Sequence, residues 1–82
     1  FYSDQTLAAP NPFSGYLEVF APDPQQALRL ELFNASGVLV LSRELPPGGQ
    51  TRQAYLPPLP SGLYLVRLRQ GNQVQTLKMF RQ

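Results

Sequence analysis

The chain has 82 residues, enough for one small domain and too few for two. It contains no cysteine and no histidine, which excludes disulfides, thiolate zinc sites and classical hydrolytic triads. The formal net charge is only +2, from seven basic and five acidic residues dispersed along the chain, and this does not indicate nucleic-acid binding.

The first residues predict an attachment to another polypeptide. The chain begins with Phe1 instead of Met, and its start lacks the basic, apolar and small-residue regions of a signal peptide. We therefore expect residues 1–6 to be the end of a linker from an upstream polypeptide and residues 7–82 to form the domain. No apolar run reaches membrane-spanning length, so we expect no direct membrane insertion.

The middle of the chain predicts a β-hairpin. In residues 28–33 leucines alternate with charged residues, so one face of a strand should carry leucines into the core. A short loop then ends at Gly37, where a positive φ is tolerated, and a second apolar run follows at 38–41. That second run is apolar at every position, so its inward face is not decided.

Two proline-rich segments predict loops. The prolines within residues 46–49 and 57–62 have no N–H and so remove donors that a strand ladder needs. A strand is expected near 52–56 between them, and another from 63 to 69. Tyr64 should lie inside with its hydroxyl bonded to an upstream backbone group, as in the tyrosine corner of sandwich folds.

The last predicted element is a closing strand over residues 73–80, after a tight turn at Gly71-Asn72. Its apolar positions change parity between Val74 and Leu77, for which we expect a β-bulge. Two short strands near the start, at 7–9 and 17–20, bring the total to about seven. The pattern predicts an all-β, immunoglobulin-like antiparallel β-sandwich.

Four segments together resemble a known family. They are Pro10-Asn11-Pro12-Phe13, Leu32 to Gly37, Leu59 to Tyr64, and the ending Leu77 to Arg81. Each alone occurs in many β-proteins, but in this order and spacing they resemble the type A C-terminal sorting domain of the type IX secretion system (the Por secretion system sorting domain). The resemblance covers residues 7–82.

The resemblance implies a sorting signal without catalytic residues, cofactor or metal. It would direct a larger cargo from the periplasm across the outer membrane, and its partners would be the type IX translocon and a sortase-like protease. That protease would remove the domain while the cargo is anchored to lipopolysaccharide at the cell surface. The sequence does not identify the cargo, the cleavage site, the oligomeric state or whether the cargo is anchored or released.

Candidate recognition residues lie in the last strand. At a sheet edge this strand would offer unpaired backbone groups to a partner, and charged side chains would add selectivity. The competing interpretation is that Leu77 and Met79 only close the core. The candidates for recognition by the translocon are Leu77, Lys78, Met79, Phe80 and Arg81.

The other motif residues have a structural interpretation. Proline fixes φ, asparagine caps turns, and the glycines suit backbone conformations that other residues avoid. The Asn34-Ala35-Ser36 match to a glycosylation acceptor is interpreted as coincidence. The residues interpreted in this structural way are Pro10, Asn11, Pro12, Phe13, Ser36, Gly37, Pro60, Gly62 and Tyr64.

Two other functions remain open. One is a non-catalytic binding or adhesive β-sandwich module of a secreted protein, which needs an exposed aromatic platform. Tyr16, Phe20 and Tyr55 are the candidates for it, and their lying on one flat face would favour this alternative. The other is a structural spacer that stays attached to an enzyme.

Overall fold

The computed structural model describes residues 8–9 and 12–82. These residues form strands and loops, with no helix among them that is long and apolar enough to cross a membrane. The expectations for residues 1–6, Leu7, Pro10 and Asn11 lie outside the described residues. Six strands have five or more residues and a further one has two: β1 (Ala8–Ala9), β2 (Tyr16–Phe20), β3 (Leu28–Phe33), β4 (Leu39–Leu45), β5 (Thr51–Tyr55), β6 (Gly62–Gln70) and β7 (Gln73–Arg81).

The strands form two sheets with antiparallel pairing between neighbours. One sheet has the order β1-β2-β5 and the other the order β4-β3-β6-β7. Because β2 pairs with β5 and β3 with β6, the chain crosses between the sheets instead of running as a simple meander. The prediction of an all-β antiparallel sandwich is confirmed.

The core lies between the sheets and follows the alternation of the strands. Leu28, Leu30 and Leu32 of β3 are at most 1% exposed, so the predicted inward face of this strand is confirmed. Leu17 of β2 and Val66 of β6 are fully buried with them. Each such side chain contributes roughly 1.5–3 kcal/mol of transfer free energy, so this cluster holds the two layers together.

The hairpin of β3 and β4 contains a β-bulge. The register shifts between Leu32, which faces Leu41, and Phe33, which faces Leu39, so Val40 is the extra residue of the bulge. Leu39 and Val40 are 48% and 38% exposed. The apolar run of residues 38–41 therefore lies at an edge of the sheet and is not covered on both faces.

The bulge expected in the last strand is absent, and that prediction was wrong. β7 pairs with β6 without interruption from Gly62↔Arg81 to Gln70↔Gln73. The change in apolar parity arises because Val74, 52% exposed, points away from the core, while Leu77 points into it. The sequence pattern resembled that of a bulge only because an apolar residue, Val74, occupies an exposed position.

The corner before β6 is built as predicted for Tyr64. Its hydroxyl donates to the carbonyl of Pro60 at 2.7 Å, and the residue is 4% exposed. Its ring meets that of the fully buried Phe13 edge-on, with the centroids 6.0 Å apart. Gly62 has φ +145°, a conformation that side chains rarely adopt. The expected tyrosine corner and the burial of Phe13 are confirmed.

At the end of the sandwich away from Tyr64, a buried arginine joins two loops and a strand end by hydrogen bonds. The sequence analysis did not predict this residue's role. Arg52 of β5 is 6% exposed. Its guanidinium donates to four backbone carbonyls at 3.0–3.4 Å, and these belong to the end of β4 and to the loops after β2 and β4. The neighbouring Gln70 amide bonds both the N–H and the carbonyl of Asp23. The accepting carbonyls are those of Asp23, Pro24, Leu45 and Gly49.

Candidate functional site

The last strand, β7, lies at an edge of the four-stranded sheet. Nine residue pairs join it to β6 on one side. On its other side, the described residues contribute one isolated parallel bridge, between Phe13 and Arg81. As far as the described residues go, most of this edge is therefore open to a partner.

The bridge to Phe13 shows which backbone groups of β7 point outward. The N–H of Phe13 donates to the carbonyl of Phe80 at 2.8 Å, and the carbonyl of Phe13 accepts from the N–H of Gln82 at 2.9 Å. Because backbone groups alternate sides along a strand, the even-numbered residues of β7 face away from β6. Among the described residues, nothing pairs with the outward groups of Val74, Thr76 and Lys78.

The five recognition candidates do not share one face. Leu77 and Met79 are 9% and 3% exposed and belong to the core, as the structural interpretation expects. Lys78 and Phe80 lie on the opposite, outer face, where Phe80 is 50% exposed. Arg81 is half-buried and donates to the carbonyl of Gln82. Of the five, only Lys78 and Phe80 are exposed to a partner.

An apolar patch covers one end of this outer face. The register places Leu39, Phe33, Leu65 and Lys78 in one row across the four strands. In the next row Leu63, 45% exposed, faces Phe80. The side chain of Lys78 thus lies at the border between an apolar surface and the open edge.

Charged residues cover the rest of the outer face. Arg67 donates to Glu31 at 2.7 Å and lies 4.9 Å from the centre of the Phe33 ring. That hydrogen bond holds the pKa of the Glu31 carboxylate below its ordinary value, although burial works in the opposite direction. Lys78 and Arg69 have no ion-pair partner in the described part of the chain, so positive charge is left over beside β7.

The turn between β3 and β4 is organised by Asn34. Its side-chain oxygen accepts from the N–H of Ser36 at 2.9 Å and from that of Val38 at 3.0 Å. Gly37 has φ +84°, and its N–H donates to the Asn34 carbonyl. These contacts support the structural interpretation of Ser36 and Gly37, and they add Asn34 as the residue that closes the turn.

The three aromatic residues of the binding-module alternative do not form one platform. Tyr16 and Tyr55 are opposite each other on β2 and β5, with ring centroids 6.3 Å apart, and are 40% and 69% exposed. Phe20 lies four residues along β2, is half-buried and packs against the core. Two of the three therefore make an exposed pair.

Groups suited to metal binding are not assembled in the described residues. No cluster of three or more histidine, cysteine, aspartate or glutamate side chains occurs there. The arrangement offers an exposed strand edge, an apolar patch and unpaired cations, which are features of protein recognition.

Comparison with known protein families places nearly the whole chain in one of them. A family model described as the secretion system C-terminal sorting domain matches residues 8–82, nearly the whole chain. A search of curated proteins found no match.

Proposed function

The chain belongs to the secretion system C-terminal sorting domains of the type IX system, and on this premise we propose how it directs a larger cargo protein. The cargo reaches the periplasm first, and the outer-membrane translocon then reads the domain and passes the cargo outward. A sortase-like protease cleaves ahead of the domain, and the cargo is joined to lipopolysaccharide at the cell surface. The domain performs no chemistry of its own.

The open edge of β7 is the observation that supports this route most directly. A sorting signal that is read as a folded domain must carry its information on the surface. β7 offers outward backbone groups together with the exposed side chains of Lys78 and Phe80. Leu77 and Met79 contribute by holding the strand against the core, because both are buried.

The test uses a fluorescent reporter that is exported to the periplasm of a host with a type IX system. Residues 1–82 are fused to its carboxyl end, and surface delivery is measured from the fluorescence that added protease removes from intact cells. Deleting residues 77–82 would remove core side chains, so the informative variants are Lys78→Glu and Phe80→Ser. The matched control is Tyr55→Ser, which changes an exposed aromatic residue on the three-stranded sheet.

Delivery of the unaltered fusion and of Tyr55→Ser, with loss in the two β7 variants, is the expected result. Retention of the unaltered fusion in the periplasm would show that the chain is not a sufficient sorting signal. Thermal unfolding of each purified variant, followed by circular dichroism, separates a loss of recognition from a loss of folding.

The exposed pair of Tyr16 and Tyr55 favours one second candidate, a non-catalytic module that binds carbohydrate. Aromatic side chains with a free face can stack on the apolar face of a sugar ring, and polar neighbours such as Gln53 can bond its hydroxyls. Retarded migration of the chain in gels containing a polysaccharide, abolished by Tyr55→Ala, would support this candidate.

A further inference from the structure

The outward backbone groups of β7 form a defined gap. Val74, Thr76 and Lys78 each present one N–H and one carbonyl away from β6, and each residue is exposed. A run from the first to the third of these spans about 13 Å at roughly 3.3 Å per residue. The gap therefore has room for a partner strand of about five residues.

The same edge already accepts one short segment. Phe13 pairs with the Phe80 carbonyl and the Gln82 N–H in parallel orientation. This pairing occupies the end of β7 and leaves the stretch before it without a partner among the described residues. The edge is thus competent for strand pairing, and the pairing that exists covers only its last residues.

The other edge of the sheet, β4, is less suited to strand addition. A bulge at Val40 interrupts its register, and the guanidinium of Arg43 reaches across to the carbonyl of Tyr55. A β-bulge, and a charged side chain directed towards the other sheet, are devices that keep edge strands from pairing. β7 keeps a regular register over all nine pairs, so a partner is expected at β7.

The charge beside β7 indicates the chemistry of the partner. On the outer face, Arg29 and Arg67 are balanced by Glu44 and Glu31. Arg69 and Lys78, on the two strands nearest the gap, have no such partner in the described residues. A strand added along β7 would place its own side chains beside Lys78, with Arg69 one strand further in, so acidic residues are favoured there.

We propose that an extended, acidic segment of a partner protein adds to β7 as a fifth strand, pairing with the outward backbone groups of Val74, Thr76 and Lys78. This inference rests on the proposed function, because the segment would belong to the machinery that reads the domain. The backbone bonds would supply affinity, and the contact of acidic side chains with Lys78, together with their attraction to the more distant Arg69, would supply selectivity.

A proline substitution at one position of β7 tests the backbone pairing. Thr76→Pro removes an N–H that β6 does not use, so the β6–β7 ladder is kept. Thr76→Val is the matched control, since it keeps that N–H and is equally suited to a strand. In the reporter assay the initial rate of delivery should fall about tenfold with proline, because one bond is lost and its partner is left unsatisfied.

Charge variants provide a second measurement that does not depend on proline being tolerated. Lys78→Glu and Arg69→Glu should each slow delivery, whereas Lys78→Arg should deliver at the rate of the unaltered fusion. If Thr76→Pro does not fold, these variants carry the test alone. Equal delivery by Lys78→Glu and Lys78→Arg would overturn the acidic partner.

The outcomes separate this inference from the proposed function. If the unaltered fusion is not delivered, the proposed function fails. If it is delivered and folded Thr76→Pro is delivered equally well, the strand addition is wrong while the sorting function stands. A dimer in analytical ultracentrifugation that Thr76→Pro abolishes would make the added strand a second copy of this chain, and would also overturn the proposal.

Discussion

Phe13 and Arg81 form a parallel β-bridge, although 68 positions separate them in the sequence. The backbone of Phe13 bonds the edge of β7, while its side chain is fully buried against Tyr64. One residue near the beginning of the described fold thus contributes both to the core and to the last strand.

Phe13→Ala should destabilise the domain by about 3–5 kcal/mol, because it leaves a cavity in the centre of the core. Urea denaturation followed by circular dichroism measures the change in the free energy of unfolding. Phe80→Ala is the matched control, since Phe80 is 50% exposed, and its cost should be much smaller. Equal costs would contradict the position of Phe13 in the core.

Tyr64→Phe should cost about 1 kcal/mol, because it removes the hydroxyl that donates to the Pro60 carbonyl and keeps the ring packing. The same substitution at the exposed Tyr55 should leave the unfolding free energy nearly unchanged. The urea denaturation midpoints of Tyr64→Phe and Tyr55→Phe, each compared with that of the parent, test this prediction. A Tyr64→Phe protein as stable as the parent would show that the corner does not depend on this bond.

Arg52→Met should destabilise the domain by about 3 kcal/mol, since it removes four hydrogen bonds by which a buried guanidinium joins the end of β4 to two loops. Arg52→Lys should restore little of this loss, because one ammonium lacks the planar fork that reaches four acceptors. Arg69→Met, at an exposed position of β6, serves as control. Melting temperatures of the three variants test the prediction, and full rescue by lysine would contradict it.

The ion pair of Glu31 and Arg67 should make stability depend on pH in the acid range. The hydrogen bond from Arg67 lowers the pKa of Glu31 from its ordinary value of 4.5. A carboxylate whose pKa is lowered by folding stabilises the fold above its unfolded-state pKa, and this contribution is lost as pH falls through the folded-state pKa.

The measurement compares the parent with Glu31→Gln by urea denaturation at several pH values. The difference in unfolding free energy should be constant near neutral pH and should shrink as the pH falls below the ordinary value of 4.5. Glu44→Gln, in an exposed pair with Arg29, should show little difference at any pH. A Glu31→Gln difference that does not change with pH would contradict the lowered pKa.

The sequence predicted those parts of the fold that are encoded locally. Alternating leucines placed β3 with its inward face, and Tyr64 after a proline-rich corner predicted its hydroxyl bond. Both follow from residues close in the chain, where strand period and turn chemistry are sufficient. The predicted bulge failed for a related reason, because Val74 is apolar but exposed, and periodicity alone does not distinguish the two cases.

The interactions that were missed join distant parts of the chain. Arg52 bonds carbonyls of Asp23 and Pro24, and carbonyl groups carry no signal in the sequence. The pairing of Phe13 with β7 is also made by the backbone. The sequence did not show which of the recognition candidates are buried, because this depends on the register of β7. Their role in recognition stays a prediction.

The bridge at Phe13 has a mechanical consequence for a domain that is attached to a cargo. Tension from a tethered cargo would reach β1 first, through its two residue pairs with β2, and then the two bonds between Phe13 and β7. Because the bridge is parallel to β7, we expect a pull along the strands to load both bonds together in shear. The force that a cargo applies at the start of the domain would therefore reach both sheets, including the edge strand at which we propose recognition.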